Sequence, residues 1–109
     1  MTEAIDISTV LRTLADPTRR AVFERVVGAA EITVAELTSG SGVTQSAISQ
    51  HLKSLKQAGL VIERPEGRKV YYRARPDGLV PLADWMSHYS AFWRDRFADL
   101  RSLLKDIDP

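Results

Sequence analysis

The chain has 109 residues, with 15 Lys and Arg against 14 Asp and Glu and no cysteine. That length suits one compact domain over 1–109 with a single hydrophobic core and is too short for two. The lack of thiols excludes a disulfide framework or a thiolate metal site, and no apolar run approaches the roughly 20 residues that cross a bilayer.

Met1 to Asp6 carries Glu3 and Asp6 and lacks the basic start and apolar run of a secretory leader, which predicts a cytoplasmic protein without membrane contact. Ile7, Val10, Leu11 and Leu14 then recur at helical spacing and predict a short amphipathic helix over about 5–15. Asp16-Pro17 opens a second helix, because Asp caps free amides and Pro is tolerated in the first turn. It runs to about Val27, with Ala21, Val22, Phe23 and Val26 toward the core and Gly28 as terminator. Thr33 and Glu36 have capping-box spacing and start a short third helix through Val34, Ala35 and Leu37. Thr38 to Gly42, with two glycines, is a turn. Thr44 caps a fourth helix that reaches about Ala58, with Gly59 at its end. Third and fourth helices together form a helix-turn-helix.

After Gly59 the period changes. Leu60, Val61 and Ile62 are β-prone, Arg64 before Pro65 favours extended backbone, and Glu66-Gly67-Arg68 supplies a turn. Val70, Tyr72 and Ala74 alternate with Lys69, Tyr71 and Arg73, which predicts a β-hairpin over 61–74. Pro76-Asp77-Gly78 interrupts, and one long helix is expected from about Pro81 to Lys105. Its apolar positions include Leu82, Trp85, Met86, Tyr89, Trp93, Phe97, Leu100, Leu103 and Leu104. The fold class is mainly α with a small β-hairpin.

Charge is unevenly spread. From Thr44 to Arg75 seven basic residues face two acidic ones, a balance of +5, and the rest of the chain carries −4. A basic stretch within an acidic domain is the electrostatic footprint of a phosphate-binding face. At about 100° per residue, Thr44, Ile48, Leu52 and Leu55 fall on one side of the fourth helix, and Ser46, Ser49, Gln50, Lys53 and Gln57 on the other. Gln45 stands at the exposed start. Gln pairs in bidentate fashion with adenine, serines donate and accept, and Lys suits phosphate or guanine. Thr44, Gln45, Ser46, Ser49, Gln50 and Lys53 are therefore candidate DNA-binding residues, joined by Arg64, Arg68 and Lys69 around the hairpin turn. Taken singly, each is an ordinary solvent residue; the helix-turn-helix before them and the basic hairpin after them give the set its meaning. His51, at the border of the buried side, reads as a packing or phosphate-contacting residue.

The aromatic stripe of the last helix is too wide for one thin core. Pairing two copies through Val10, Leu11, Leu82, Trp85, Met86, Tyr89, Trp93 and Phe97 would cover it, so a homodimer is expected through the segments at about 5–15 and 79–106.

Leu14-Ala15-Asp16-Pro17-Thr18-Arg19-Arg20, Thr44-Gln45-Ser46-Ala47-Ile48-Ser49-Gln50-His51-Leu52, Leu55-Lys56-Gln57-Ala58-Gly59-Leu60-Val61 and Glu66-Gly67-Arg68-Lys69-Val70-Tyr71-Tyr72 closely resemble the ArsR-type winged helix-turn-helix repressors. The resemblance covers nearly the whole chain in order. It implies four helices, a β-hairpin wing and a final helix, a dimer joined by its terminal helices, and a double-stranded DNA operator bound by the fourth helix and wing. Metal-sensing members place Cys-x-Cys near the third helix, where this chain has Thr33-Val34-Ala35-Glu36-Leu37. Other members use Asp, His and Glu on the last helix; here Asp84 and His88 stand four apart and would need Asp95 or Asp99 to complete a set, so a surface Asp-His pair is the preferred reading. No metal or cofactor is expected, and the signal is left open between a small-molecule effector, a protein effector and none. Without a phosphate-cradling Gly-rich loop or a nucleophile elbow, no catalytic residue is assigned. The competing reading is a winged-helix module for protein-protein interaction without specific DNA binding. The polar face argues against it, since such surfaces more often present aromatic or aliphatic anchors.

Overall fold

The computed structural model describes residues 6–107; position 5, the expected start of the first helix, and positions 108–109 lie outside the described residues. Helix α1 (Ile7–Ala15) begins where the Asp6 carboxylate accepts the Thr9 N–H at 2.9 Å. Helix α2 (Pro17–Gly28) begins the same way, Asp16 accepting from the Arg19 N–H at 3.0 Å. Arg19 and Arg20 then reach backward, donating to the Thr13 carbonyl at 3.3 Å and the Leu14 carbonyl at 2.7 Å. The Leu14-to-Arg20 run thus closes one helix and opens the next, satisfying orphan groups at both ends.

A two-residue strand β1 (Ile32–Thr33) leads into α3 (Val34–Thr38). Glu36 N–H donates to Thr33 Oγ1 and Thr33 N–H to Glu36 Oε1, the expected capping box. Arg25 of α2 donates to the carbonyls of Leu37 and Glu36, at 2.7 and 3.2 Å, and so closes the far end of α3. Helix α4 (Gln45–Gln57) starts with the Ala47 N–H donating to Thr44 Oγ1 at 3.1 Å. It ends as Gly59 N–H donates to Lys56 O and Leu60 N–H to Leu55 O, with Gly59 at φ +74°. This is the Schellman arrangement, which needs the left-handed conformation that glycine adopts without steric cost.

Strands β2 (Val61–Glu66) and β3 (Lys69–Ala74) pair from Val61↔Ala74 to Glu66↔Lys69, leaving Gly67-Arg68 as the turn. Gly67 has φ +62° and Arg68 does not share the positive sign, the pattern of a II′ hairpin turn. β1 adds to the other edge of β3, giving the order β1-β3-β2. The sequence reading lacks β1, since two residues carry no readable period.

Val10, Val26, Leu37, Ile48, Leu52, Leu55 and Leu60 are the fully buried centre of the core. Two expectations change here. Val10 is wholly buried inside the protomer, so it cannot serve a dimer surface; Leu11 beside it is half exposed. Ala21 is exposed, and Val22, Phe23 and Val26 form the buried face of α2.

The expected single last helix is two, α5 (Val80–Ser87) and α6 (Ser90–Ile107). Ser87 Oγ donates to the Asp84 carbonyl at 2.7 Å, occupying the acceptor that a continuous helix offers to the His88 N–H. His88 and Tyr89 instead donate three residues back, to Trp85 O and Met86 O, and the chain bends before helix resumes. α5 packs on α1, while α6 runs out from the body. The radius of gyration is accordingly 17.3 Å, where a compact chain of this length has about 13 Å. None of the described helices is long and apolar enough to cross a membrane.

Candidate nucleic-acid interface

Helix α4 packs on α2, α3 and β2 through Ile48, Leu52 and Leu55, which fixes the opposite face outward. Gln45, Ser46, Ser49, Gln50, Lys53 and Gln57 are all exposed on it, and α4 contains no acidic residue. Thr44 Oγ1 accepts the cap bond, and its hydroxyl proton remains available to a ligand. The turn before α4 is held internally: Ser41 Oγ donates to Thr38 O at 2.8 Å and accepts the Val43 N–H at 3.0 Å.

The seven cations of 44–75 divide into two groups. Lys56 is bound to Glu63, whose other oxygen accepts the Tyr72 hydroxyl at 3.4 Å; this cluster ties the end of α4 to the root of the hairpin. Burial raises the Tyr72 phenol above its ordinary value, and the Glu63 carboxylate adds to the effect. Arg75 pairs with Asp77 at 3.0 Å, and Arg64 pairs with Glu31 and Glu66. Lys53, Arg68, Lys69 and Arg73 form no ion pair with another described residue. Arg68 stands at the tip of the hairpin with Lys69 beside it. Glu36 is held below the ordinary carboxylate value chiefly by the Thr33 amide, with a further contribution from the Lys69 charge.

The expected residues thus fall in two exposed groups, Thr44, Gln45, Ser46, Ser49, Gln50 and Lys53 on α4, and Arg68 and Lys69 on the hairpin. Arg64 stands apart, its guanidinium engaged on the sheet. His51 is half-buried, and the neighbouring Asp16 is held below the ordinary carboxylate value chiefly by the Arg19 amide, with a further contribution from the Arg19 charge. The candidate set of the sequence included neither Arg73 nor Glu31. Arg73 shares with Lys69 and Tyr71 one face of β3, a signal the period of two already carried. Glu31 lies 33 positions from Arg64 and no local pattern links them. Asp84 and His88 are both exposed, with His88 at the α5 end. Among the described residues no three His, Asp or Glu side chains converge as a metal site.

Residues 14–64 match a family described as "Helix-turn-helix domain". The chain is 46% identical over 69 residues to the HTH-type transcriptional regulator Rv2034 of Mycobacterium tuberculosis, a match covering 63% of this chain and 64% of that relative, just under two thirds of the relative's length. Among solved structures it is similar to a possible transcriptional regulator for arsenical resistance, at 39% identity and TM-score 0.63 over 84% of this chain and 92% of the other. It is also similar to an ArsR-like transcriptional regulator from Rhodococcus sp. RHA1, at 28% identity and TM-score 0.69 over 88% and 90% of the two chains. With a capped helix-turn-helix, an adjoining β-hairpin and these relatives, the chain belongs to the ArsR-type family of winged helix-turn-helix transcriptional regulators.

Proposed function

We propose that the chain is a DNA-binding repressor that reads a double-stranded operator as a homodimer, with α4 in the major groove and the wing tip on the neighbouring backbone. One observation carries this: the exposed face of α4 is polar, free of acid and centred on Lys53, while Arg68 and Lys69 project from the adjoining hairpin, and none of the three forms an ion pair among the described residues. Such a face offers donors and acceptors to base edges and cations to phosphates. Repression requires no more than occupancy of the operator. Binding is then the whole activity, without catalysis, and the protein works in the cytoplasm.

Two copies would join through α1, α5 and α6. Leu11, Trp85, Met86, Tyr89, Phe97, Leu100 and Leu104 are each exposed by about two fifths or more, an apolar surface that association would cover. A two-fold dimer sets its recognition helices on half-sites roughly 34–36 Å apart. Arsenical resistance, the role named for one of the similar structures, has no thiolate to rest on here, because the chain has no cysteine. The signal that would release the operator is a small molecule, a protein partner or none, with repression then set by the protein's own concentration.

Fluorescence anisotropy with DNA from upstream of the protein's own gene, against a scrambled duplex of equal length, tests the reading at two salt concentrations. The upstream duplex should bind more tightly, and affinity should fall steeply with salt, with a slope of about −0.9 per phosphate neutralised. Absence of binding to either duplex would overturn it in favour of the protein-interaction module.

A further inference from the structure

Arg64 is the cation of the hairpin that the structure engages most fully. Its Nε and Nη2 donate to the two carboxylate oxygens of Glu31, at 2.8 and 2.7 Å. Its Nη1 lies 3.4 Å from Glu66, and its guanidinium carbon is 4.8 Å from the centroid of the Tyr71 ring. The register explains this meeting of distant residues. Arg64 on β2 is opposite Tyr71 on β3, and Tyr71 is opposite Thr33 on β1, so the side chain crosses the aromatic ring to reach the residue just before β1. β1 pairs only with Tyr71 and Tyr72. Beyond that row the hairpin, from Pro65 through Val70, has no third strand beside it. The strap therefore spans the whole sheet where the wing leaves the body.

We propose that Arg64 is a positioning residue of the wing, held by Glu31 across Tyr71 so that Gly67, Arg68 and Lys69 leave the body at a fixed angle. Exposed ion pairs contribute little as a rule, but bidentate Arg-carboxylate geometry within a network holds both side chains in one arrangement, and stacking on an aromatic face adds to it. Glu31 is held below its ordinary value first by the Arg64 hydrogen bonds, in keeping with that geometry. The wing's part in DNA binding rests on the function proposed above; its rigidity does not.

The test has two arms, applied to Glu31→Gln, Arg64→Gln and the double variant. In the free protein, 15N relaxation should show increased mobility at Gly67, Arg68 and Lys69 in all three. An unchanged wing tip overturns the proposal whether or not the protein binds DNA. In duplex binding, each single variant should lose about three- to tenfold in affinity with an unchanged salt slope, and the double variant should be no worse than either single one. Glu66→Gln, which removes a carboxylate but leaves the Glu31 strap, serves as the control for charge alone. A slope shallower by about one unit in Arg64→Gln, with tighter binding in Glu31→Gln than in Glu66→Gln, would make Arg64 a phosphate ligand for which Glu31 competes, and would overturn the strap. Failure of the unaltered protein to bind any duplex would count against the DNA reading, leaving the relaxation arm to decide the strap.

Discussion

Gln45 and Ser49 stand exposed on α4, and neither hydrogen-bonds another side chain among the described residues, so truncating them disturbs no internal contact. Gln45→Ala and Ser49→Ala should each weaken operator binding by about 1–3 kcal/mol and leave binding to random duplex nearly intact, as lost base readout requires. Equal losses on both duplexes, measured by anisotropy, would remove these residues from base readout. The division of cations is a residue-scale result of the same kind. Counting charge places seven basic residues in one stretch, whereas only the fold shows that Lys56, Arg64 and Arg75 are engaged by carboxylates and that Lys53, Arg68, Lys69 and Arg73 form no ion pair among the described residues. Composition sees charge; partners 33 positions apart are set by strand register.

At the scale of elements, the capped helices were legible because each boundary is a local chemical event. Asp16, Thr33 and Thr44 cap within three residues, and Gly59 closes α4 within two. Gly59→Ala should therefore destabilise the protein by about 1–2 kcal/mol through the left-handed backbone it forces on alanine, measured by urea unfolding. An undiminished stability would mean that the end of α4 relaxes to another closure. The α4 face was legible too, since burial of Ile48, Leu52 and Leu55 leaves the other side polar by geometry alone. Other features escaped for physical reasons. β1 is too short for a period and exists because β3 offers it an edge. The break between α5 and α6 contains neither Pro nor Gly and coincides with a serine hydroxyl bound to the Asp84 carbonyl, a contact that no sequence period marks. Val10 sits on an amphipathic helix whose apolar stripe has two neighbours, its own core and the outside, and periodicity cannot assign one residue between them.

For the whole molecule, the outlying α6 is the feature that a lone protomer explains least. Phe97→Asp combined with Leu100→Asp should convert a dimer to a monomer in sedimentation velocity without unfolding the winged domain, because both side chains are about half exposed in the protomer. A sedimentation coefficient identical to that of the unaltered protein would refute this interface. Acid should act on the fold as a whole. Asp6, Asp16 and Glu36 are lowered chiefly by backbone amides at helix starts, and Glu31 by Arg64. Each binds fewer protons folded than unfolded, so its stabilisation is complete above the ordinary values of 3.8 and 4.5 and is lost as pH falls through the lowered ones. Thermal unfolding should thus be steady just above that range and weaken below it; a transition unchanged down to strong acid would contradict the caps. Contact of α4 and the wing tip with DNA can be read residue by residue in 15N-1H shift mapping with an operator duplex. The largest shifts should fall at 44–53 and 67–69; shifts confined to α5 and α6, or none at saturating duplex, would show that DNA does not meet this face.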